Sequence, residues 1–237
     1  MSSRPRRPPR PPTRRAPAPP PSRRPLLVVI GVIAVVLVAL AVALIAGGGD
    51  GDDTTGDAGR EGTAGTFTAG GVPDDTPATA TGDPLTPLGE GGTDPAAGQA
   101  MPVLSGTGMD GEPLTVPAAG RPTMIVFLAH WCPHCQAELP VVQQWIDDGG
   151  LPEGVDMVAV STAVDARRPN YPPAAWLDDK GWTAPVLVDG DGAASEAVGL
   201  TAFPFFVAVG ADGTVVGRAS GELTVDQLDG IAAELAG

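Results

Sequence analysis

The sequence predicts an α/β domain, a mixed β-sheet flanked by helices, preceded by one transmembrane helix and a disordered linker. Three observations carry this reading. Beyond residue 100, short apolar runs alternate with helical patterns in the order β-α-β-α and then β-β-α. Residues 26–46 form an uncharged run of Leu, Val, Ile and Ala with one Gly31, long enough for the roughly 20 residues that span a hydrocarbon core. Residues 47–100 are Gly, Asp, Thr, Pro and Ala with almost nothing apolar to bury.

Residues 1–25 hold eight arginines among prolines and cannot build a core, so a disordered basic cytoplasmic tail is expected. A nucleic-acid arm is the rival reading, but the apolar run follows at once and makes a membrane flank the better one. Arginines before that run and none just after it orient the chain, N-terminus inside and the rest outside. A cleaved signal peptide is the alternative, with Ala41-Val42-Ala43 imitating a cleavage site. The apolar stretch exceeds the roughly 7–15 residues of a signal-peptide core, which favours a retained anchor in the lipid bilayer. Beyond residue 46 the 28 acidic residues face only Arg60, Arg121, Arg167, Arg168, Arg218 and Lys180, a balance of −22 that excludes nucleic acid as a partner. Residues 47–100 read as a flexible acidic tether with a typical span of about 40 Å.

The packed domain is expected over residues 101–237. Residues 103–104 and 114–116 form a short hairpin around Met109-Asp110-Gly111, since Asp-Gly is a turn signal. A strand over 123–129 leads into a helix over 133–148, followed by a strand over 155–161. A loop with Arg167, Arg168 and Pro169 precedes a helix over 173–180 that ends at Gly181. Next come a strand over 185–188 and a short helix over 193–198. Strands 205–209 and 214–219 turn at Ala211-Asp212-Gly213, and the last helix, 225–235, is capped by Thr224 with Asp226 in its first turn.

The chemistry concentrates in Trp131-Cys132-Pro133-His134-Cys135, which contains the only two cysteines. A strand, a Cys-x-x-Cys and a helix in succession read as a redox motif. Cys132 at the helix start sits among unpaired N–H groups at the positive end of the dipole, where a thiolate is favoured, so it is the nucleophile. Cys135, one turn on, is placed to displace a bound partner as the resolving thiol. A structural bridge between such close neighbours closes too small a loop to stabilise much. His130, His134 and both cysteines fall within six residues, too few for a tetrahedral metal site. Neither metal nor cofactor is expected. His130 is assigned to a solvated rim.

Trp131-Cys132-x-x-Cys135-x-x-Glu138-x-Pro140 resembles the thioredoxin superfamily, and within it the membrane-tethered TlpA-like or ResA-like thiol-disulfide oxidoreductases. The resemblance covers roughly 103–237. Gly199-Leu200-Thr201-Ala202-Phe203-Pro204 is similar to the segment ending in the family's cis-proline, and Ala211-Asp212-Gly213-Thr214 to its late hairpin. It implies a thioredoxin-like fold and catalytic roles for Cys132, Cys135, Glu138 and His134. Trp131, Pro133, Phe203 and Pro204 are implied to bind substrate. Glu138, one helical turn past Cys135, would accept its proton. Val126 stands where cytosolic thioredoxins bury an aspartate, which leaves Glu138 as the nearby acid. Pro140 should kink the helix.

The implied partners are extracytoplasmic proteins with cysteines or disulfides and a redox partner that recycles the pair. The implied location is the cell membrane, single-pass, with the C-terminal domain extracytoplasmic. Direction stays open: the family at large suggests a reductant, whereas Pro133-His134 is similar to the pair of strongly oxidising enzymes. An imidazole beside the Cys132 sulfur would stabilise the reduced form and strengthen the oxidant. Two other activities compete, a copper-binding or metallochaperone module and a thiol peroxidase. The first usually adds a distant histidine, and the second is disfavoured by Ala129 three residues before Cys132.

Overall fold

A computed structural model describes residues 71–89, 91 and 93–237. The basic tail, the apolar run 26–46 and the first part of the expected tether lie outside the described residues. Among the described residues no helix is long and apolar enough to cross a membrane.

The central sheet has the order β6-β5-β4-β7-β8, formed by β4 (Thr123–Leu128), β5 (Asp156–Thr162), β6 (Val186–Asp189), β7 (Phe205–Val209) and β8 (Val215–Ser220). β4, β5 and β6 run parallel, while β7 and β8 are antiparallel to their neighbours. Parallel strands need crossovers, and helices α1 (Pro133–Asp147) and α2 (Pro173–Asp179) supply them. α3 (Ala193–Ala197) leads into β7, and α4 (Val225–Ala236) closes the chain. The sheet is mixed and thioredoxin-like.

β4 shows why the sheet is covered on both sides. Successive side chains point to opposite faces, and all six residues of β4 are buried. Met124, Val126 and Leu128 meet Leu139, Val142 and Trp145 of α1 and Leu228 and Ala232 of α4, with Trp176 and Leu177 of α2 in the same core. Ile125 and Phe127 face the other way, into a second core with Leu104, Val116, Leu187 and Ala194. Helix α4 starts at a reciprocal cap: the Gln227 N–H donates to Thr224 Oγ1, and the Gln227 side chain accepts from the Thr224 N–H.

A second, antiparallel sheet joins β1 (Thr79–Thr81), β2 (Val103–Thr107) and β3 (Pro113–Val116). The β2–β3 hairpin lies where the Asp-Gly signal put it, whereas no strand was expected at β1. Residues 71–100 were expected to be the end of a structureless tether, and here the structure corrects the reading. Val72, Ala78, Leu85 and Ala96 are buried, and the segment bonds to the domain along its length. The Leu85 N–H donates to Ala197 O, Gly98 to Val215 O, and Val215 in turn to Gln99 O. At Gly190 a Cβ would stand 2.3 Å from the carbonyl carbon of Asp75, so only glycine admits this close approach. Asp94 closes the segment onto β8 through a two-oxygen clasp. Arg218 Nη2 lies 2.6 Å from Asp94 Oδ1 and Nε 3.1 Å from Oδ2, while Nη1 donates to Val198 O. The segment builds no core of its own; it borrows one, which is why composition misread it.

Candidate active site

Cys132 is the N-cap of α1, with φ −75° and ψ 123°, and Pro133 follows at the first helical position, where its fixed φ suits the helix and its missing N–H costs nothing. The Gln136 N–H donates to Cys132 O, so the helix begins there. The Cys132 sulfur lies 4.0 Å from Phe203 O, and Phe203-Pro204 is a cis peptide. Both cysteines are free thiols; Cys132 is 7 % exposed and Cys135 is not exposed at all. Burial pushes the Cys135 thiol far above its ordinary value, and the adjacent Cys132 sulfur adds to the rise against a backbone hydrogen bond at Ala129. Cys132 thus retains a little exposure, and Cys135, fully buried, is held as a thiol.

Glu138 follows on α1, which runs on through Pro140. Its side chain is buried, and Oε1 accepts the Leu223 N–H at 3.1 Å. Burial raises its pKa, the Leu223 bond opposes the rise, and the nearby Glu222 charge adds to it. The Glu138 charge is also felt at Cys135. A buried carboxyl with a raised pKa, close enough for its charge to be felt at a buried thiol, can take up a proton when it is ionised.

Two histidines depart from expectation. His130 is no solvated rim residue: it is 1 % exposed. Its Nδ1 donates to Pro169 O at 2.7 Å and its Nε2 accepts the Asp165 N–H at 3.2 Å, which fixes a neutral ring, and burial lowers its pKa. Sequence neighbours gave no sign of this, because the partners lie on a loop more than thirty residues away. His134 is exposed, and its Nδ1 meets Glu222 Oε1 at 2.7 Å. The structure pairs the ring with a carboxylate rather than leaving it a bare charge beside the Cys132 sulfur.

Around the mouth, Trp131 is held by an Nε1–H bond to Ala163 O at 2.7 Å and meets the Phe203 ring edge-on at 6.1 Å. The Arg168 guanidinium lies over the Trp131 ring, 4.1 Å from its centroid. Pro133 is exposed and Pro204 buried. The site thus unites Trp131, Cys132, Cys135, Phe203 and Pro204, with Glu138 beneath. Sequence reasoning missed Glu222, the Leu223 N–H and the placement of Arg168. Only the last had a signal, a pair of arginines in an acidic domain.

Residues 96–234, more than half of the chain, match the Redoxin family. The methylamine utilization protein MauD of Methylobacillus flagellatus is 34% identical over 80 residues, 32% of this chain and 37% of that protein, so the match spans little more than a third of MauD. The sporulation thiol-disulfide oxidoreductase A of Bacillus subtilis is 24% identical over 120 residues, 51% of this chain and 72% of that protein. Among solved structures, a DsbF homologue from Corynebacterium diphtheriae superposes with a TM-score of 0.53 at 16% identity, covering 65% of this chain and 99% of that one. A putative thiol:disulfide interchange protein DsbE from Chlorobium tepidum gives 0.50 at 19% identity, covering 62% of this chain and all of that one, 100%. At such identities the two structures speak for the fold. With the family match over the same residues that form the two-cysteine site, the chain belongs to the Redoxin family, and its dithiol domain is a thioredoxin-like oxidoreductase.

Proposed function

We propose that the protein exchanges disulfides with extracytoplasmic proteins, Cys132 attacking and Cys135 resolving. The observation that carries this is the asymmetry of the pair: Cys132, slightly exposed, has its sulfur beside Phe203 O, while Cys135 is fully buried and kept as a thiol. In the reductive direction the Cys132 thiolate attacks a partner disulfide, a mixed disulfide forms and one partner thiolate leaves. Cys135 then gives its proton to Glu138 and attacks the Cys132 sulfur. The Cys132–Cys135 bond forms, the second partner thiolate departs, and two electrons have passed to the partner. Oxidation of a partner is the same sequence reversed.

Among the described residues the Phe203 N–H donates no hydrogen bond, so an extended partner chain has a backbone to pair with beside Cys132. Glu222 favours the reductant: its carboxylate offsets the positive form of His134 and weakens the help that ring gives a Cys132 thiolate. Residues 26–46 serve as the membrane anchor, with the arginine-rich tail inside and the catalytic domain outside. The reading needs a second redox protein that re-reduces the pair.

A Cys135→Ala variant of the full chain tests the assignment. It should accumulate mixed disulfides through Cys132, identified by mass spectrometry of the cell envelope. A Cys132→Ala variant should hold none, and adducts on Cys135 in that variant would reverse the roles.

A further inference from the structure

The two arginines of the loop after β5 are not equivalent. Arg167 pairs with Asp165, Arg121 with Asp156, Lys180 with Asp179 and Arg218 with Asp94. Among the described residues Arg168 is the one cation that makes no ion pair, in a domain where acids far outnumber bases. It is exposed, and it rests on the ring of Trp131, the residue next to Cys132. A guanidinium lying on an aromatic face keeps its in-plane N–H donors free for a second partner.

The loop is also fixed before any partner arrives. His130, immediately ahead of Trp131, receives the Asp165 N–H and donates to Pro169 O, on either side of Arg168. Asn170 Nδ2 donates to His130 O at 3.0 Å, and the Arg168 N–H itself donates to Asp165 O. Trp131 in turn is tied to Ala163 O. The guanidinium is therefore preorganised, so little ordering remains for binding to oppose.

From this geometry we infer that Arg168, stacked on Trp131, selects partner segments that carry a carboxylate beside the target cysteine. The inference rests on the thiol-exchange reading and refines it. Arg168 touches no sulfur; it orients the incoming chain so that its cysteine meets Cys132 while its backbone lies along Phe203. An acidic flank gains a charge-assisted bond, and a basic flank faces an unpaired cation.

The test uses the reduced full-length Cys135→Ala chain and three peptides whose single cysteine is flanked on both sides by Asp, Asn or Lys. Each cysteine is carried as a disulfide with uncharged 2-thiopyridine. The Cys132 thiolate attacks the peptide sulfur, the peptide–Cys132 disulfide forms, and the pyridyl S–S bond breaks to release 2-thiopyridone. Rates are divided by those of a small neutral thiol, which removes the peptides' own reactivity. The Asp peptide should exceed the Lys peptide by about tenfold, with a smaller ratio in high salt. Arg168→Ala should react with all three alike, and Arg168→Glu should reverse their order. Equal normalised rates in the parent chain, or an order that survives Arg168→Glu, would overturn the role of Arg168 and leave thiol exchange standing. No adduct with any peptide overturns thiol exchange, and the inference with it.

Discussion

Replacing Glu138 by Gln separates proton transfer from architecture. Gln keeps an oxygen to accept the Leu223 N–H, so the loop over α1 should hold its place. What disappears is the proposed proton acceptor for Cys135. An ordinary thiol with a pKa of about 8.5 is only about 3 % ionised at pH 7, and burial reduces that for Cys135 tenfold per further pKa unit. Spontaneous ionisation is thus too rare to sustain the second exchange step, and loss of a positioned base costs about 100-fold or more. Rapid acid quench with mass spectrometry resolves the mixed disulfide from the products; its formation should proceed at the parent rate while its decay slows. Stability supplies the second half. A carboxyl whose folded pKa is raised binds more protons folded than unfolded, so the parent loses stability as pH rises from the ordinary 4.5 through the raised value. Each unit of that displacement is worth about 1.36 kcal/mol, so Glu138→Gln should be at least as stable as the parent at pH 7 and free of this decline. Equal slowing of both exchange steps, or a less stable variant at pH 7, would refute the argument.

Asp94→Ala leaves the Arg218 guanidinium buried without its counter-charge and should cost about 3–5 kcal/mol in denaturant unfolding. Despite the opposing effect of burial, bonds from Arg218 hold the Asp94 carboxyl below its usual range. The part of that difference owed to the Asp94 charge should therefore be complete above the unfolded pKa of about 3.9 and be lost as pH falls through the lower folded value. In glutathione equilibrium the cysteine pair should lie nearer the roughly −270 mV of thioredoxin than the roughly −120 mV of a strong oxidant. His134→Ala should shift that potential by less than about 30 mV, since the ring is exposed and already faces a carboxylate, and Glu222→Gln should make it more positive. Protease added to cells stripped of outer layers should release a soluble dithiol fragment; a fully protected chain would reverse the orientation proposed for residues 26–46.

The central elements were legible because each carries its own periodicity. β4 is six buried residues that any apolar run would announce, and the Cys-x-x-Cys sits at a helix start that Pro133 marks. The strap over residues 71–100 was not legible. Its buried residues come singly, between glycines, prolines and aspartates, and the groups they bond to are supplied by α3, β8 and their loops. The rim of the site failed for a related reason. His134 meets its partner 88 residues away, and His130 holds a loop 35 to 40 residues on. A pattern confined to neighbouring residues says which groups can act, but tertiary structure decides whom each one faces.

The strap also imposes an order of events. Asp94 and Arg218 are 124 residues apart, and Asp94 is synthesised first. Asp94 therefore waits for a partner still to be made, and a contact across so long a loop forms only after the intervening chain has condensed. A chain cut short before β8 has no Arg218 for Asp94 and no Val215 for Gly98 and Gln99, so it should expose residues 72–99 to proteases that leave the finished domain alone. Concealment of the strap thereby becomes a mark of the finished fold, readable by any quality-control enzyme that attacks loose chain.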